Sequence, residues 1–134
     1  DLPSGSLKPG FVIEDDDICV TKSVNSGFVG TSLDIDLRSK YVSRLVVVGF
    51  FTNMCVETTV RMAGNMGYDT YLIPDGCATT NRIGIDGVDY DPEVIHAMTV
   101  ANLHGEFCTA IKPSEAIALL RADATNLNRV QGNE

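Results

Sequence analysis

The stretch that decides the fold is LVVVGFFTNMCVETT, residues 45–59. It opens with an unbroken apolar run, residues 45–48, which is typical of a strand buried on both faces of a parallel sheet. Gly49 ends this run, and a helical pattern begins after a short turn. The apolar positions of that pattern, spaced i, i+4 and i+7, are Val56, Val60 and Ala63. The sequence therefore predicts a strand, a turn and a helix, with Cys55 at the start of the helix.

Cys55 is a candidate nucleophile because of this position. The first turn of a helix has unpaired N–H groups and the positive end of the helix dipole, which favour an anion. The thiolate is the nucleophilic form of cysteine. The alternative is a small buried hydrophobic residue, which is the usual role of a lone cysteine.

Lys22 is the residue that we expect to lie beside Cys55. It follows a short predicted strand, residues 18–21. In open α/β sheets the ligand crevice lies outside the carboxyl ends of the strands, so both residues would border one crevice. An ammonium group there would stabilise a thiolate or the negative charge on an attacked carbonyl. The alternative for Lys22 is a solvated loop lysine.

Strands and helices alternate along the rest of the chain, which predicts an α/β fold with a mainly parallel sheet. A capping box at residues 31–34 predicts a helix to about Lys40, and the helix after Cys55 should end near Gly67. A strand at residues 70–73 should end at Pro74-Asp75-Gly76, where Asp75 either lines the crevice or belongs to a plain turn. A long loop, residues 79–91, follows.

The C-terminal part predicts two more helices around one strand. Asp91-Pro92-Glu93 is a strong helix start, and the buried stripe of that helix should be Val94, Met98 and Ala101. Residues 106–111 are a predicted strand. The last helix should begin at residues 113–115 and carry Ile117 and Leu120, followed by a polar, frayed tail over residues 122–134.

Composition narrows the class of protein. The 134 residues, 44% of them hydrophobic and 21% charged, predict a single globular domain covering residues 1–134. The formal net charge of -8 argues against nucleic acid or an anionic membrane as partner. The four cysteines show no zinc-type spacing, which predicts free thiols and a cytoplasmic protein. The sequence begins without methionine, in a loop composition, so we expect it to be the later part of a longer chain.

No metal and no cofactor is predicted. His96 and His104 lie eight residues apart on one predicted helix, about 12 Å along its axis at ~1.5 Å per residue. They could not share a metal without ligands from elsewhere. For both histidines we favour a position at the surface or at the edge of the core, without a metal.

Three ordered motifs resemble the isochorismatase-like cysteine hydrolase superfamily, which includes nicotinamidases and related amidases. The motifs are KSVNSGFVGTSL at residues 22–33, GFFTNMCVETT with RMAGNMGY at 49–59 and 61–68, and PDGCAT at 74–79. The resemblance extends from about Lys8 to Ile111. It implies a three-layer α/β/α sandwich, here without its first strand, and an enzyme of the hydrolase class.

The resemblance also implies roles for individual residues. Cys55 matches the nucleophile of an Asp-Lys-Cys triad, and Lys22 matches its lysine. The oxyanion hole would consist of the N–H groups of Phe51 and Cys55, with a cis peptide bond between Phe50 and Phe51. The side chains that we expect to contact substrate are Phe28, Phe50 and Asn53.

The family pattern is incomplete in this sequence. The triad aspartate should end a strand upstream of Lys22, and residues 15–17 precede a strand instead. The family's metal-binding Asp/His cluster would also lie upstream. The predicted function is hydrolysis of a C–N bond in a small amide, ureido or carbamoyl compound through a thioester, by a homo-oligomer. The alternatives are an isochorismatase-type vinyl ether hydrolase, which needs no cysteine, and a non-catalytic relative.

Overall fold

A parallel sheet organises the molecule. The computed structural model describes residues 10–131. Its helices are α1 (Leu33–Ser39), α2 (Glu57–Asn65), α3 (Pro92–Leu103) and α4 (Pro113–Gln131). Its strands are β1 (Arg44–Phe50), β2 (Asp69–Ala78), β3 (Arg82–Ile83), β4 (Asp89–Tyr90) and β5 (Thr109–Ala110). Strands β1, β2 and β5 pair in this order, all in parallel, and the predicted α/β class is confirmed. No helix within residues 10–131 is long and apolar enough to span a bilayer.

Helices cover both faces of this sheet. On one face α2 and α3 pack on Leu72 of β2, with Val60 and Leu103 among the fully buried side chains. On the other face Arg44 of β1 lies over the ring of Tyr71, whose side chain points away from that of Leu72. The same Arg44 donates to Asp123 of α4 at 2.8 Å, so α4 covers this second face. The arrangement is an α/β/α sandwich.

The apolar run of β1 is less buried than we expected. β1 pairs only with β2 among the described residues and is therefore an edge strand of the described sheet. Val48 keeps 52% of its surface exposed, and most of the other residues of β1 are half-buried. The prediction of a strand buried on both faces is wrong for this part of the chain, because burial on both faces needs neighbours that the apolar run itself does not specify.

Strand β2 extends beyond the predicted end at residues 74–76. The register of β1 and β2 shifts between Val47 and Gly49, and pairing resumes with Cys77 opposite Gly49. Pro74 is tolerated in this irregular part because a bulge needs no ladder N–H there. Gly76 fits the close approach of Val48, whose Cγ1 would lie 2.6 Å from an added Cβ.

Helix α2 confirms the pattern predicted after Cys55. Val56, Val60 and Ala63 are buried. The helix ends in a Schellman motif, in which Tyr68 N–H donates to Ala63 O at 3.1 Å and Gly67 N–H donates to Gly64 O at 3.1 Å. Gly67 has a φ of 84°, which glycine adopts without strain.

The N-terminal predictions were partly wrong. No strand forms at residues 18–21 in the described structure, since no other strand pairs with them. The expected capping box is also absent from the described residues. Helix α1 begins at Leu33, and the hydroxyl of Thr31 donates instead to Gly27 O at 2.6 Å.

The C-terminal predictions need four corrections. Helix α3 begins as predicted, with Asp91 accepting from Glu93 N–H at 2.8 Å, but Val94 and Met98 are exposed and Thr99 and Leu103 are buried.

Residues 79–91 contain the β3–β4 hairpin rather than a plain loop. Strand β5 is only two residues long because residues 103–108 form a hydrogen-bonded turn. Helix α4 continues past 122 to Gln131, whereas residues 132–134 lie outside the described part.

Within α4 the inward position also differs from the residues that the sequence suggested. Ala116 is 1% exposed, whereas Ile117 and Leu120 keep about half of their surface in solvent.

We predict that Gly64→Ala destabilises the fold. An added Cβ would lie 2.6 Å from the backbone oxygen of Phe107, so α2 and the turn after α3 would have to separate. The expected loss in the free energy of unfolding is about 1–3 kcal/mol, although alanine is the better helix former. Urea unfolding measures it. Asn65→Ala, an exposed neighbour in the same helix, should change stability by less than about 0.5 kcal/mol. Equal stability of Gly64→Ala and wild type would contradict this prediction.

Candidate active site

The turn between β1 and α2, here called the cysteine turn (residues 51–56), carries Cys55 at the head of the helix. Gly49 precedes it with a φ of 143°, in a region that favours glycine. The peptide bond between Phe50 and Phe51 is cis, as the resemblance implied. The turn is wound as a single π-helical turn, in which Val56 N–H donates to Phe51 O at 3.3 Å. Turns of this kind are frequent at functional sites.

Two polar side chains from a distant loop lie against the sulfur of Cys55. Lys22 Nζ donates to Cys55 Sγ at 3.3 Å and also to Val24 O at 3.0 Å. The thiol is within 3.7 Å of Asn25 Oδ1. Cys55 is half-buried, whereas Lys22 and Asn25 are exposed. The predicted proximity of Lys22 and Cys55 is confirmed, across 33 residues of sequence.

The loop that carries Lys22 is anchored to α2. Gly27 N–H donates to Thr59 Oγ1 at 3.0 Å, and Phe28 is 8% exposed. The Phe28 ring stacks on Tyr68, with ring centroids 5.9 Å apart. The expected contact of Phe28 with substrate stays a prediction, and its ring packs among core residues. Its aromatic contact fixes the loop that brings Lys22 to the sulfur.

Two further hydrogen bonds hold the cysteine turn. Thr52 Oγ1 and His96 Nδ1 lie 2.9 Å apart, which joins the turn to α3. Thr79 donates to Asn53 Oδ1 at 2.6 Å, which joins the turn to the end of β2. Thr52 is completely buried and Asn53 is half-buried. Two consecutive residues of the turn are therefore fixed by side chains from two different elements.

Phe50, which precedes the cysteine turn, and Phe51, its first residue, remain open to solvent. Phe50 is 53% exposed and Phe51 is 42% exposed. Both lie at the carboxyl end of β1, where the crevice of an α/β sheet is expected. Their exposure leaves room for a ligand beside Cys55.

Sequence reasoning did not predict that Asn25, Thr79 and His96 contribute to this site. Asn25 lies three residues after Lys22, and a polar side chain so close to a candidate catalytic lysine was a usable signal. Thr79 and His96 gave no such signal. Their partners in the cysteine turn are 26 and 44 residues away in sequence.

The other cysteines lie in different surroundings from Cys55. Burial raises the pKa of Cys108 to about 11. Burial also raises the pKa of Cys77, although a hydrogen bond to the backbone of Gly49 opposes this effect. Cys19 is exposed. All four cysteines are free thiols.

No third triad residue is visible among the described residues. Within 10–131 no carboxylate hydrogen-bonds to Lys22 or Cys55. In that same part of the chain no three potential metal ligands lie close enough to hold an ion. His104 is engaged elsewhere, since its Nδ1 accepts from Ala110 N–H at 3.0 Å.

Comparison with known proteins gives one consistent result. The family model of the isochorismatase domain matches residues 3–108. YrdC, an isochorismatase-family protein of Bacillus subtilis, is 40% identical over 87% of this chain and 67% of its own length. The ureidoacrylate amidohydrolase RutB of Rhizobium rhizogenes is 32% identical over 75% of this chain and 42% of its own length.

The fold has a counterpart among solved structures. The crystal structure of an isochorismatase-family protein from Chromobacterium violaceum superposes with a TM-score of 0.82 and 37% identity. The match covers 87% of this chain and 61% of that protein. The chain thus spans from about two fifths to two thirds of the length of the three proteins to which it is compared.

We predict that Cys55 is the cysteine most reactive toward iodoacetamide at neutral pH. The adjacent ammonium of Lys22 favours the thiolate, whereas the raised pKa of Cys77 and Cys108 keeps those thiols protonated. Cys108 should react appreciably only as the pH rises toward 11. Mass spectrometry of alkylated peptides would give the four rates.

Substitution of Lys22 tests the cause of this reactivity. Lys22→Ala should slow alkylation of Cys55 by about three- to tenfold, and Lys112→Ala, which removes an exposed lysine of another loop, should not change it. Alkylation of Cys55 no faster than that of the exposed Cys19 would contradict the prediction of an activated thiolate.

Proposed function

This chain belongs to the isochorismatase family, and from that premise we propose that it acts as a cysteine hydrolase on a C–N bond of a small amide, ureido or carbamoyl compound. The observation that carries the proposal is the 3.3 Å contact between Lys22 Nζ and Cys55 Sγ at the head of α2. A sulfur beside an ammonium group and a helix N-terminus has the surroundings of an activated nucleophile.

The proposed reaction has two steps. The sulfur of Cys55 attacks the carbonyl carbon, and the C–N bond breaks as the nitrogen leaves with a proton. The resulting thioester is then cleaved by water, which yields the acid and restores the thiol. The N–H groups of Phe51 and Cys55 stabilise the oxyanion of each tetrahedral intermediate. Lys22 supports the anionic sulfur, and the aspartate of the family triad is not assigned to any described residue.

A ureido compound is the proposed first choice of substrate. Support comes from the relative RutB, whose name gives ureidoacrylate as its substrate. Asn25 and Asn53 supply amide groups near Cys55 and in the cysteine turn, and amides pair with the N–H and C=O groups of a ureido function. The contact between Cys55 and Lys22 does not support the vinyl ether alternative, because that reaction needs no cysteine.

The proposal is tested by turnover of a panel of ureidoacrylate, N-carbamoyl amino acids and nicotinamide, followed as ammonia release. Cys55→Ala should lower kcat by at least about 10³-fold with the fold retained. Lys22→Ala should lower kcat by about 10²-fold, because it removes charge stabilisation from the nucleophile. Lys112→Ala is the matched control and should leave turnover unchanged.

Two outcomes would contradict the proposal. Turnover in Cys55→Ala equal to that of the wild type would remove Cys55 as nucleophile. No turnover of any panel compound, together with no thioester adduct of Cys55 by mass spectrometry, would favour the non-catalytic relative instead.

We further propose that the protein is a cytoplasmic homo-oligomer. The four free thiols support a reducing compartment. Large apolar side chains are exposed on α3, at Val94 and Met98, and on the β3–β4 hairpin, at Ile83 and Ile85. Such surfaces are typical of protein contacts. Sedimentation at micromolar concentration should therefore give a species larger than one chain, and monomer alone would contradict the assembly.

A further inference from the structure

We propose that His96 is a positioning residue of the active site. Through its hydrogen bond to Thr52 it holds the cysteine turn in the geometry that the oxyanion hole requires. This inference rests on the proposed function, because it assigns His96 a part in the same acyl-transfer chemistry. His96 is not placed in contact with the sulfur, and its action runs through the backbone of the turn.

The burial of Thr52 makes its hydroxyl dependent on His96. Thr52 is 0% exposed, so His96 and not solvent is the partner of its hydroxyl. Its Oγ1 lies 2.9 Å from His96 Nδ1, across 44 residues of sequence. A buried hydroxyl without a partner is costly, so the turn is strongly biased to the arrangement that keeps this bond. The direction in which the proton is shared depends on the tautomer of His96.

The position of Thr52 in the chain gives the bond its significance. Thr52 directly follows Phe51, whose N–H is one proposed oxyanion donor, and Cys55 supplies the other donor three residues later. Both donors therefore belong to the segment that Thr52 anchors. An oxyanion hole works only when its donors are held at hydrogen-bond distance from the place where charge develops. A shift of about 1 Å in such a group costs on the order of 10²-fold in rate.

His96 is well suited to hold the turn because α3 fixes it. Thr99 and Leu103, one and two turns further along the helix, are buried against the core. The His96 ring is half-buried and also lines a cavity of about 260 Å³ with Asp75, Thr79 and Glu93. The second bond to the turn, from Thr79 to Asn53, comes from the residue that directly follows β2. The turn is thus held by α3 and by the end of β2.

The test uses paired variants that remove or retain the hydrogen bond. Thr52→Val removes the hydroxyl and keeps the shape, whereas Thr52→Ser keeps the hydroxyl. His96→Leu removes the ring nitrogen, whereas His96→Asn offers an amide near the position of Nδ1. His104→Leu is the matched control, because it removes the histidine at the C-terminal end of the same helix, which bonds to Ala110 of β5 and not to the turn.

The expected result is a loss in kcat alone. Thr52→Val and His96→Leu should each lower kcat by about 10- to 100-fold with KM within about threefold of wild type. The double variant should be no slower than the slower single variant, since both changes remove one bond. Thr52→Ser and His96→Asn should recover kcat to within about fivefold. Alkylation of Cys55 by iodoacetamide should stay within twofold throughout, because that reaction forms no oxyanion.

Three results would overturn the inference. The first is kcat of Thr52→Val or His96→Leu within twofold of wild type. The second is independent losses that multiply in the double variant. The third is a fall in His104→Leu equal to that in His96→Leu, which would show a general effect of α3 on stability.

A separate readout keeps this inference distinct from the proposed function. If no panel compound is turned over by the wild type, the hydrolase assignment fails, but the bond can still be measured by amide hydrogen exchange of residues 51–56. Exchange should then be about tenfold faster in Thr52→Val and His96→Leu, and near wild type in Thr52→Ser and His96→Asn. Unchanged exchange in all four variants would overturn the positioning role itself.

Discussion

The packing of α2 against the sheet and α3 is the constraint on which the site depends. Val56 and Val60 lie on Leu72 of β2 and on Leu103 at the end of α3, in one buried cluster. Val56 is also the last residue of the cysteine turn, so the same contact that builds the core sets the position of the helix start. Because protein interiors are close-packed and resist displacement, the sulfur of Cys55, one residue before Val56, is held at a fixed position relative to the sheet.

Polar contacts around the sulfur add to the positioning that core packing provides. The loop with Lys22 is tied to α2 by Thr59 and by the stacking of Phe28 on Tyr68. Thr52 and Asn53 are held by His96 and Thr79. Each of these contacts is modest alone. Together they fix Cys55 and the backbone of its turn, which is the preorganisation that the proposed acyl transfer would need.

The features that depend on residues close in the sequence were predicted correctly. The helix after Cys55, its Gly67 stop, the Asp91 cap and the parallel class all follow from spacing and backbone preference within a few residues. Burial depends on residues that are distant in the sequence, which residue spacing does not reveal. For this reason Val94 and Met98 of the buried stripe predicted for α3 are exposed. The stacking of Phe28 on Tyr68 was not predicted for the same reason, since the two residues lie 40 positions apart in the sequence. Lys22 and Cys55 were paired through a rule about the carboxyl ends of strands. The contact forms, although no strand precedes Lys22, because the loop that carries Lys22 is anchored to α2.

The exposure of Lys22 determines how its contact with Cys55 would act in catalysis. In the free protein water reaches Lys22 and screens its charge, so the effect of this ammonium at 3.3 Å on the sulfur is limited to the modest change in alkylation rate expected for Lys22→Ala. A substrate in the crevice beside Phe50 and Phe51 would displace that water. The effective dielectric would fall, and the same ammonium would act more strongly on the sulfur as it attacks. In the proposed mechanism substrate binding and activation of the nucleophile would therefore be coupled, so groups that fill the crevice would raise kcat as well as affinity.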